Sequence, residues 1–261
     1  FPSIPNVPDH PDLRTGAVYG TGKREENLRG YFAAISAMDE QIGRLLDAVE
    51  EQGLADNTVI LFTADNGMSM GQHGVWGKGN GTFPMNMYDS AVKVPFLISW
   101  PGHIPANTVC SEMISACDLL PTILKLTGLS DKQPTGLPGR SFTELLEGRQ
   151  LEHRDEVVIF DEYGPVRMIR TKEWKYVHRY PYGKHELYHL VDDPGEEKNL
   201  YGLPEYKKLV TQLKGRMEKW FCTYSDPAID GVRSAVNGSG QLCRPGVYAI
   251  YEDPFAPKGV E

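Results

Sequence analysis

The stretch TVILFTADNGMSMGQHGVWGK, residues 58–78, contains the features that decide the fold. Its apolar run at 59–62 lacks the polar alternation of a half-exposed strand, which favours a strand buried on both faces, as in a parallel α/β sheet. The run is followed by Asp65-Asn66-Gly67 and then by a glycine-rich loop that carries His73 and Lys78. Ligands bind beyond the carboxyl ends of strands in such sheets, so these side chains fall where a ligand site is expected.

The polar residues of this loop have the chemistry to hold a metal ion and an anionic substrate. Hard cations prefer oxygen ligands, which the Asp65 carboxylate and the Asn66 carboxamide supply. Lys78 supplies a compact positive charge that suits a sulfate- or phosphate-like group. An ordinary turn is the competing interpretation, because Asp-Asn-Gly is a strong turn signal. His73 also has two interpretations: it bonds a metal ligand or the substrate, or it fixes the loop backbone.

The order of motifs around this loop resembles that of the sulfatases in the alkaline phosphatase superfamily. Each motif is short, but the ordered set is specific and covers about residues 28–215. The helical pattern of residues 31–53, which precedes the loop, also matches that family. The motifs that carry the resemblance are GQHGVWGK (71–78), VP (94–95), WPG (100–102), DLLPTIL (118–124), ELYHL (186–190) and DPGEEKNL (193–200).

The resemblance implies roles for the loop residues. Asp65 and Asn66 would complete the oxygen shell of one divalent cation, Ca²⁺ or Mg²⁺. Lys78 would bind the sulfate group and act in catalysis, with His73 as a second catalytic candidate. The nucleophile of the family is a formylglycine made from the first residue of a Cys/Ser-x-Pro-x-Arg motif, which precedes the metal motif and does not occur before it in this chain. We therefore expect the chain to be the C-terminal portion of a sulfatase, with the N-terminal half of the same enzyme as its partner.

The implied reaction is hydrolysis of a sulfuric ester of a small molecule or a carbohydrate. A phosphodiesterase or phosphonate monoester hydrolase of the same superfamily is the enzymatic alternative. Those enzymes tend to have Asp-His at the metal motif, because two-metal zinc sites favour imidazole, so Asn66 favours one hard cation and a sulfatase. The non-enzymatic alternative is that this polypeptide is an inactive binding or structural fragment.

Composition and charge argue against other classes of protein. The chain has 261 residues, of which 40% are hydrophobic and 24% are charged, values typical of a globular protein. A net charge of −8 argues against a nucleic-acid-binding protein. The sequence has no apolar stretch long enough to span a membrane.

The pattern of apolar residues predicts two structural parts and a tail. Residues 1–153 are expected to form a partial three-layer α/β/α sandwich, which the resemblance implies to be of the alkaline phosphatase-like type. Residues 154–221 are expected to form a small antiparallel sheet with a helix, because short strands alternate there with turn signals. Residues 222–261 form the predicted irregular tail.

Individual elements follow from the same periodicities. The clearest helix spans 28–52, with apolar residues at three- and four-residue spacing, and Asp118 is expected to cap a helix over 119–127. His178, His185 and His189 fall in or beside the small sheet, where a packing or surface role is expected. The remaining predicted elements are strands at 58–63, 94–100, 157–160, 166–170, 175–179 and 186–190 and helices at 142–146 and 204–221.

Overall fold

The computed structural model describes residues 14–15, 24–149, 154–161, 164–180, 183–228 and 230–233. These residues fall into two compact units, one up to residue 109 together with 146–149 and one formed by the remainder. The combination of helices and short paired strands with a separate antiparallel sheet confirms the predicted fold class. The predicted boundary at residue 153 stays a prediction, and the predicted tail lies outside the described residues from 234 onward. Among the helices of the described ranges, none has the length and apolar character that crossing a membrane requires.

In its described residues, the first unit contains two α-helices, a few short 3-10 turns and short, antiparallel strand pairs. Strands β1 and β5 pair, as do β2 with β6 and β3 with β4. Its elements in chain order are β1 (Arg14–Thr15), α1 (Arg24–Glu51), β2 (Ile60–Thr63), β3 (Ser69–Met70), β4 (Trp76–Gly77), β5 (Thr82–Phe83), α2 (Asp89–Val92) and β6 (Phe96–Ser99).

Helix α1 confirms the predicted helix and extends it by four residues at its start. Gly53 lies just beyond its C-terminal end, takes a left-handed φ of 66° and donates its N–H to the carbonyl of Glu50 at 2.9 Å. The predicted apolar face is present but largely uncovered: Leu28 is the buried residue of the helix, while Met38 and Leu45 are 45% and 67% exposed. The face has the composition of a packing surface.

The strand pair β2–β6 corrects one sequence-based expectation. The run at 59–62 was expected to be buried on both faces in a parallel sheet, but β2 pairs antiparallel with β6 and its residues are half-buried. An apolar run indicates that both faces of a strand can be buried. It does not determine whether the neighbouring strand runs parallel or antiparallel. Parallel strands are usually joined by a crossover helix, whereas the connection from β2 to β6 consists of the β3–β4 hairpin, β5, short turns and the four-residue α2.

The second unit is built on a four-stranded antiparallel sheet in the order β10-β9-β8-β7. Helix α5 packs on this sheet, and its buried residues Leu213, Met217 and Phe221 join Ile169 and Tyr176 in one core. The predicted strands and helices of this region are confirmed with shifts of a few residues at their ends. The elements in chain order are α3 (Leu119–Leu126), α4 (Thr143–Leu146), β7 (Val157–Phe160), β8 (Val166–Arg170), β9 (Trp174–Arg179), β10 (Glu186–His189) and α5 (Lys207–Tyr224).

Asp118 does not cap α3 through its side chain, contrary to the sequence-based expectation. Its fully buried carboxylate accepts hydrogen bonds from the Ser115 N–H at 2.9 Å and the Arg140 N–H at 2.7 Å, and it forms an ion pair with Arg154. Burial alone would raise the pKa of Asp118, but Arg154 and the two backbone donors outweigh it and hold the pKa below its ordinary value. A buried carboxylate needs such strong donors. The side chain therefore binds Ser115, Arg140 and Arg154 instead of capping the N-terminus of α3.

The histidines of the sheet have packing roles, as predicted for them. His178 is buried, and its ring stacks on that of His185 with centroids 4.0 Å apart. The Tyr176 hydroxyl lies 2.6 Å from His178 Nδ1. His189 is half-buried against the Trp174 ring, with centroids 4.3 Å apart.

We expect the second unit to lose stability as the pH falls below about 6.5, the usual histidine pKa. Burial and neighbouring positive charges lower the pKa of His178 to about 3, and burial and Arg179 lower that of His185 to about 4. The unfolded chain therefore binds protons that the folded chain does not, and the free energy of unfolding falls through this window, by about 2 kcal/mol at pH 5 for His178.

Chemical denaturation between pH 7 and pH 5 measures this dependence. The His178→Gln variant should show a flatter dependence of unfolding free energy on pH, while His103→Gln, which changes an exposed histidine, should keep the original slope. Equal slopes in the parent protein and His178→Gln would contradict the prediction.

Candidate functional site

The end of β2 delivers Asp65 and Asn66 into the candidate site. The Thr63 hydroxyl donates to the Pro95 carbonyl at 2.9 Å and fixes the end of the strand. The Asn66 N–H donates to Asp65 Oδ1 at 2.8 Å, and Asn66 Nδ2 donates to the Gly67 carbonyl at 2.8 Å. The second bond places the carboxamide oxygen of Asn66 on the opposite side of the amide group. Asp65 is exposed and Asn66 is half-buried, so both oxygen donors are accessible.

The residues that follow Asn66 are held on helix α2. The Gly67 N–H donates to the Ala91 carbonyl at 2.8 Å, and a Cβ on Gly67 would lie 2.2 Å from the Ser90 carbonyl oxygen. The buried Ser69 hydroxyl lies 2.7 Å from the Ser90 hydroxyl. This part of the loop, residues 64–70, is called the metal arm below because it carries the two predicted metal ligands.

Strands β3 and β4 form a tight hairpin that carries His73. Gly71 and Gly74 take φ values of 106° and 69°, and His73 itself has a φ of 55°, a left-handed conformation that is uncommon for a residue with a side chain. The His73 ring stacks on the ring of Tyr88, with centroids 3.8 Å apart and planes 4° apart. Tyr88 is buried and immediately precedes α2, so the stack joins the hairpin to that helix.

Lys78 follows β4 and is half-buried. Its carbonyl accepts hydrogen bonds from the Gly81 N–H at 2.9 Å and from Asn86 Nδ2 at 3.3 Å. Asn86 is fully buried, and its Nδ2 also donates to the Gly79 carbonyl and the Thr82 hydroxyl. The buried Asn86 side chain therefore fixes the backbone that carries Lys78. Residues 71–82 are called the lysine arm.

The two arms share one support. Residues 86–91, here called the support segment, contact the metal arm through Ser90 and Ala91 and the lysine arm through Asn86 and Tyr88. The four residues predicted from the sequence, Asp65, Asn66, His73 and Lys78, therefore lie on two loops that both contact the support segment. Their roles in binding and catalysis stay predictions.

The donors at the site suit a hard cation but are few. Asp65 and Asn66 offer oxygen ligands, which Ca²⁺ and Mg²⁺ prefer. Within the described ranges, no group of three or more histidine, cysteine, aspartate or glutamate side chains is arranged to hold a metal ion. Two protein ligands fall short of the roughly six to eight that Ca²⁺ takes, so further ligands would have to come from outside the metal arm.

Asn86 and Tyr88 were not identified from the sequence. The available signal was the position of Asn86 between Met85 and Met87, both buried, where a polar side chain requires specific partners. Its partners are carbonyl groups of the lysine arm, and these cannot be identified from the sequence before the hairpin is known.

Two family models match the chain. The model for N-sulphoglucosamine sulphohydrolase, C-terminal, matches residues 71–222, and the model for sulfatase matches residues 3–129. The chain is similar to N-acetylglucosamine-6-O-sulfatase from Bacteroides thetaiotaomicron, with 31% identity over 78% of this chain and 37% of that protein.

Solved structures show the same likeness. A structure described as a complex with its substrate D-glucosamine-2-N,6-O-disulfate matches with a TM-score of 0.69 and 30% identity, over 80% of this chain and 44% of that one. The phosphonate monoester hydrolase of Agrobacterium radiobacter matches with a TM-score of 0.63 and 27% identity, over 76% of this chain and 42% of that one. The chain spans less than half of the length of each of these three proteins.

We expect Gly67→Ala to destabilise the first unit by about 1–3 kcal/mol, the usual range for overpacking. The new methyl group would meet a backbone oxygen that a side-chain rotation cannot move. Gly43→Ala is the matched control, since a Cβ at Gly43 in α1 meets nothing within 4 Å and alanine favours a helix. Thermal unfolding should give a lower Tm for Gly67→Ala and an equal or higher Tm for Gly43→Ala, and equal Tm values would contradict the close contact.

Proposed function

The chain belongs to the sulfatase family, and we propose that it supplies the metal-ligand and sulfate-binding part of a sulfuric ester hydrolase active site. The observation that carries the proposal is the attachment of the metal arm and the lysine arm to one support segment. An ordinary surface turn would not require both loops to be fixed on the same buried residues. The similarity to known sulfatases supports the same reaction class.

In this proposal, Asp65 and Asn66 hold the divalent cation. Asp65 contributes charge and Asn66 contributes a neutral oxygen, and the hydrogen bonds of both residues to the local backbone keep the two donors side by side. A bound cation supplies electrostatic polarisation of the sulfate oxygens. The metal arm determines where those oxygens lie relative to Lys78.

In this proposal, Lys78 stabilises the negative charge that develops on the substrate during the reaction. Negative charge grows on the bridging oxygen as the S–O bond breaks, and an ammonium group positioned there stabilises the transition state more than the ground state. His73 is proposed to face the substrate from the same hairpin. Its ring is stacked on that of Tyr88, so in this proposal it acts from that position.

The proposed partner is the N-terminal part of a sulfatase domain, which would carry the formylglycine. The exposed apolar face of α1 supports this pairing, because it presents Phe32, Ile35, Met38 and Leu45 to solvent, and β6 adds Leu97, which is 65% exposed. Exposed apolar residues that recur along one helix face favour an interaction site. The similarity to sulfatases that are longer than this chain supports further sulfatase sequence as its complement.

The proposed substrate is a sulfated carbohydrate. The support is indirect: one similar structure holds a glucosamine disulfate, and one similar protein is an N-acetylglucosamine-6-O-sulfatase. The phosphonate monoester hydrolases are the second candidate class, favoured by their structural similarity. Asn66 in place of histidine favours the sulfatase, and comparing turnover of an aryl sulfate with that of an aryl phosphonate monoester in a complete enzyme distinguishes the two.

The purified 261-residue chain should not hydrolyse an aryl sulfate and should bind Ca²⁺ or Mg²⁺ weakly in calorimetry. Two oxygen ligands give an incomplete shell, and the chain has no nucleophile motif preceding its metal motif. Fusing a sulfatase N-terminal part that carries formylglycine should restore turnover. Turnover by the 261-residue chain alone would contradict this prediction, and continued inactivity of a folded, formylglycine-containing fusion would favour the inactive-fragment alternative.

In the complete enzyme, Lys78→Ala should lower kcat by about 100- to 1,000-fold, the usual cost of removing one transition-state donor. Asp65→Ala should instead weaken cation binding, so that activity partly recovers at high cation concentration. Lys125→Ala, which removes an exposed lysine on α3, is the matched control and should leave kcat unchanged. Steady-state kinetics across a cation titration measures all three, and a normal kcat for Lys78→Ala with the metal bound would remove Lys78 from the site.

A further inference from the structure

We propose that the support segment, residues 86–91, sets the distance between the metal ligands and the site lysine, with Asn86 and Tyr88 as positioning residues. This inference rests on the proposed function, because the distance matters only if the cation and Lys78 act on the same sulfate group. The segment supplies no ligand or catalytic group of its own in this proposal. It acts through the two arms that it holds.

The contact with the metal arm is rigid because it joins backbone to backbone. Gly67 directly follows Asn66, and its N–H donates to the Ala91 carbonyl while its Cα lies against Ser90 without room for a side chain. A second contact joins the same segments, because the hydroxyl oxygens of Ser69 and Ser90 lie 2.7 Å apart. A shift of the support segment therefore moves Asp65 and Asn66 with it.

The contact with the lysine arm depends on the Asn86 side chain. Its Nδ2 donates to the carbonyls of Lys78 and Gly79 at 3.3 and 3.2 Å, and its own N–H donates to the Gly79 carbonyl at 3.1 Å. Its Oδ1 is buried without a hydrogen-bond partner among the described residues. A buried, unpaired carbonyl oxygen opposes folding. Asn86 therefore positions the backbone of the lysine arm, and its unpaired Oδ1 lowers the free energy of unfolding.

Tyr88 provides the second attachment of the lysine arm. Its ring holds the His73 ring in the stack, and its carbonyl accepts hydrogen bonds from the N–H groups of Ala91 and Val92 at 2.8 and 3.1 Å, which begin α2. The same residue therefore links the hairpin to the helix that holds Gly67. The left-handed conformation of His73 needs such a contact, because it is uncommon for a residue with a side chain.

The kinetic consequence follows from the geometry of a shared substrate. The cation polarises some sulfate oxygens while Lys78 acts at another, so both must be correctly placed in the same complex. A misplacement of about 1 Å can lower a rate by about 100-fold. Loosening the support segment should therefore reduce kcat while both arms keep all of their functional side chains.

Four single substitutions test the inference. Tyr88→Leu removes the stack, Tyr88→Phe retains the ring, and Asn86→Leu removes the donors at similar size. Thr122→Val, a buried hydroxyl in the second unit, is the control for general loss of stability. Hydrogen exchange on the 261-residue chain reports the two arms separately, and kcat and KM of the complete enzyme are measured at saturating cation.

The expected result is faster exchange in the lysine arm for Tyr88→Leu and Asn86→Leu, with the metal arm less affected, and kcat lowered by up to about 100-fold with KM little changed. Tyr88→Phe should restore most of the rate. Unchanged kcat in Tyr88→Leu, or an equal loss in Thr122→Val, would overturn the inference while leaving the proposed function intact. If the unsubstituted complete enzyme hydrolyses no sulfate ester, the proposed function fails. Unchanged exchange of the lysine arm in both Tyr88→Leu and Asn86→Leu overturns the positioning role independently of activity.

Discussion

The backbone contact between Gly67 and the start of helix α2 is the constraint on which the candidate site depends. The contact combines a 2.8 Å hydrogen bond to Ala91 with an approach to Ser90 that excludes a Cβ. It requires the residue after Asn66 to be glycine, whatever the neighbouring side chains are. The glycine signal in Asp65-Asn66-Gly67 is therefore compatible with the metal-site interpretation, because the close approach that glycine permits fixes the backbone directly after the two oxygen donors.

Most elements were predictable because each depends on local periodicity. The helix of residues 24–51, the paired strands of the second unit and α5 follow from spacings of three to four or of two residues. The antiparallel pairing of β2 with β6 was not predictable from the apolar run, because strand direction depends on the connection and not on the composition of the strand. The role of Asp118 was also missed, because Arg154 lies 36 residues away in sequence.

The candidate site was predictable from the sequence only in part. Side-chain chemistry can be recognised in a sequence, whereas contacts that form only in the folded chain cannot. Residues proposed to have a chemical function, such as Asp65 and Lys78, have side-chain types that suggest those roles without a structure. Residues that position them do not: Asn86 and Tyr88 are of unremarkable types, and their contacts with Lys78 and His73 exist only once the hairpin has folded. A buried polar side chain between two methionines indicates that a partner exists but does not identify the partner.

The motifs that carry the family resemblance also divide into chemical and structural ones. In DPGEEKNL, the Asp193 carboxylate accepts the N–H groups of Glu197 and Lys198, and Asn199 Oδ1 accepts the N–H of Leu187 at 3.0 Å. Strand β10 lies at the edge of its sheet, so Asn199 covers a backbone donor that would otherwise be open to another strand. This motif is explained by the protection of an edge strand. The motif at 193–200 therefore carries the family resemblance through the fold, whereas the chemistry proposed for this chain rests on residues 65–78.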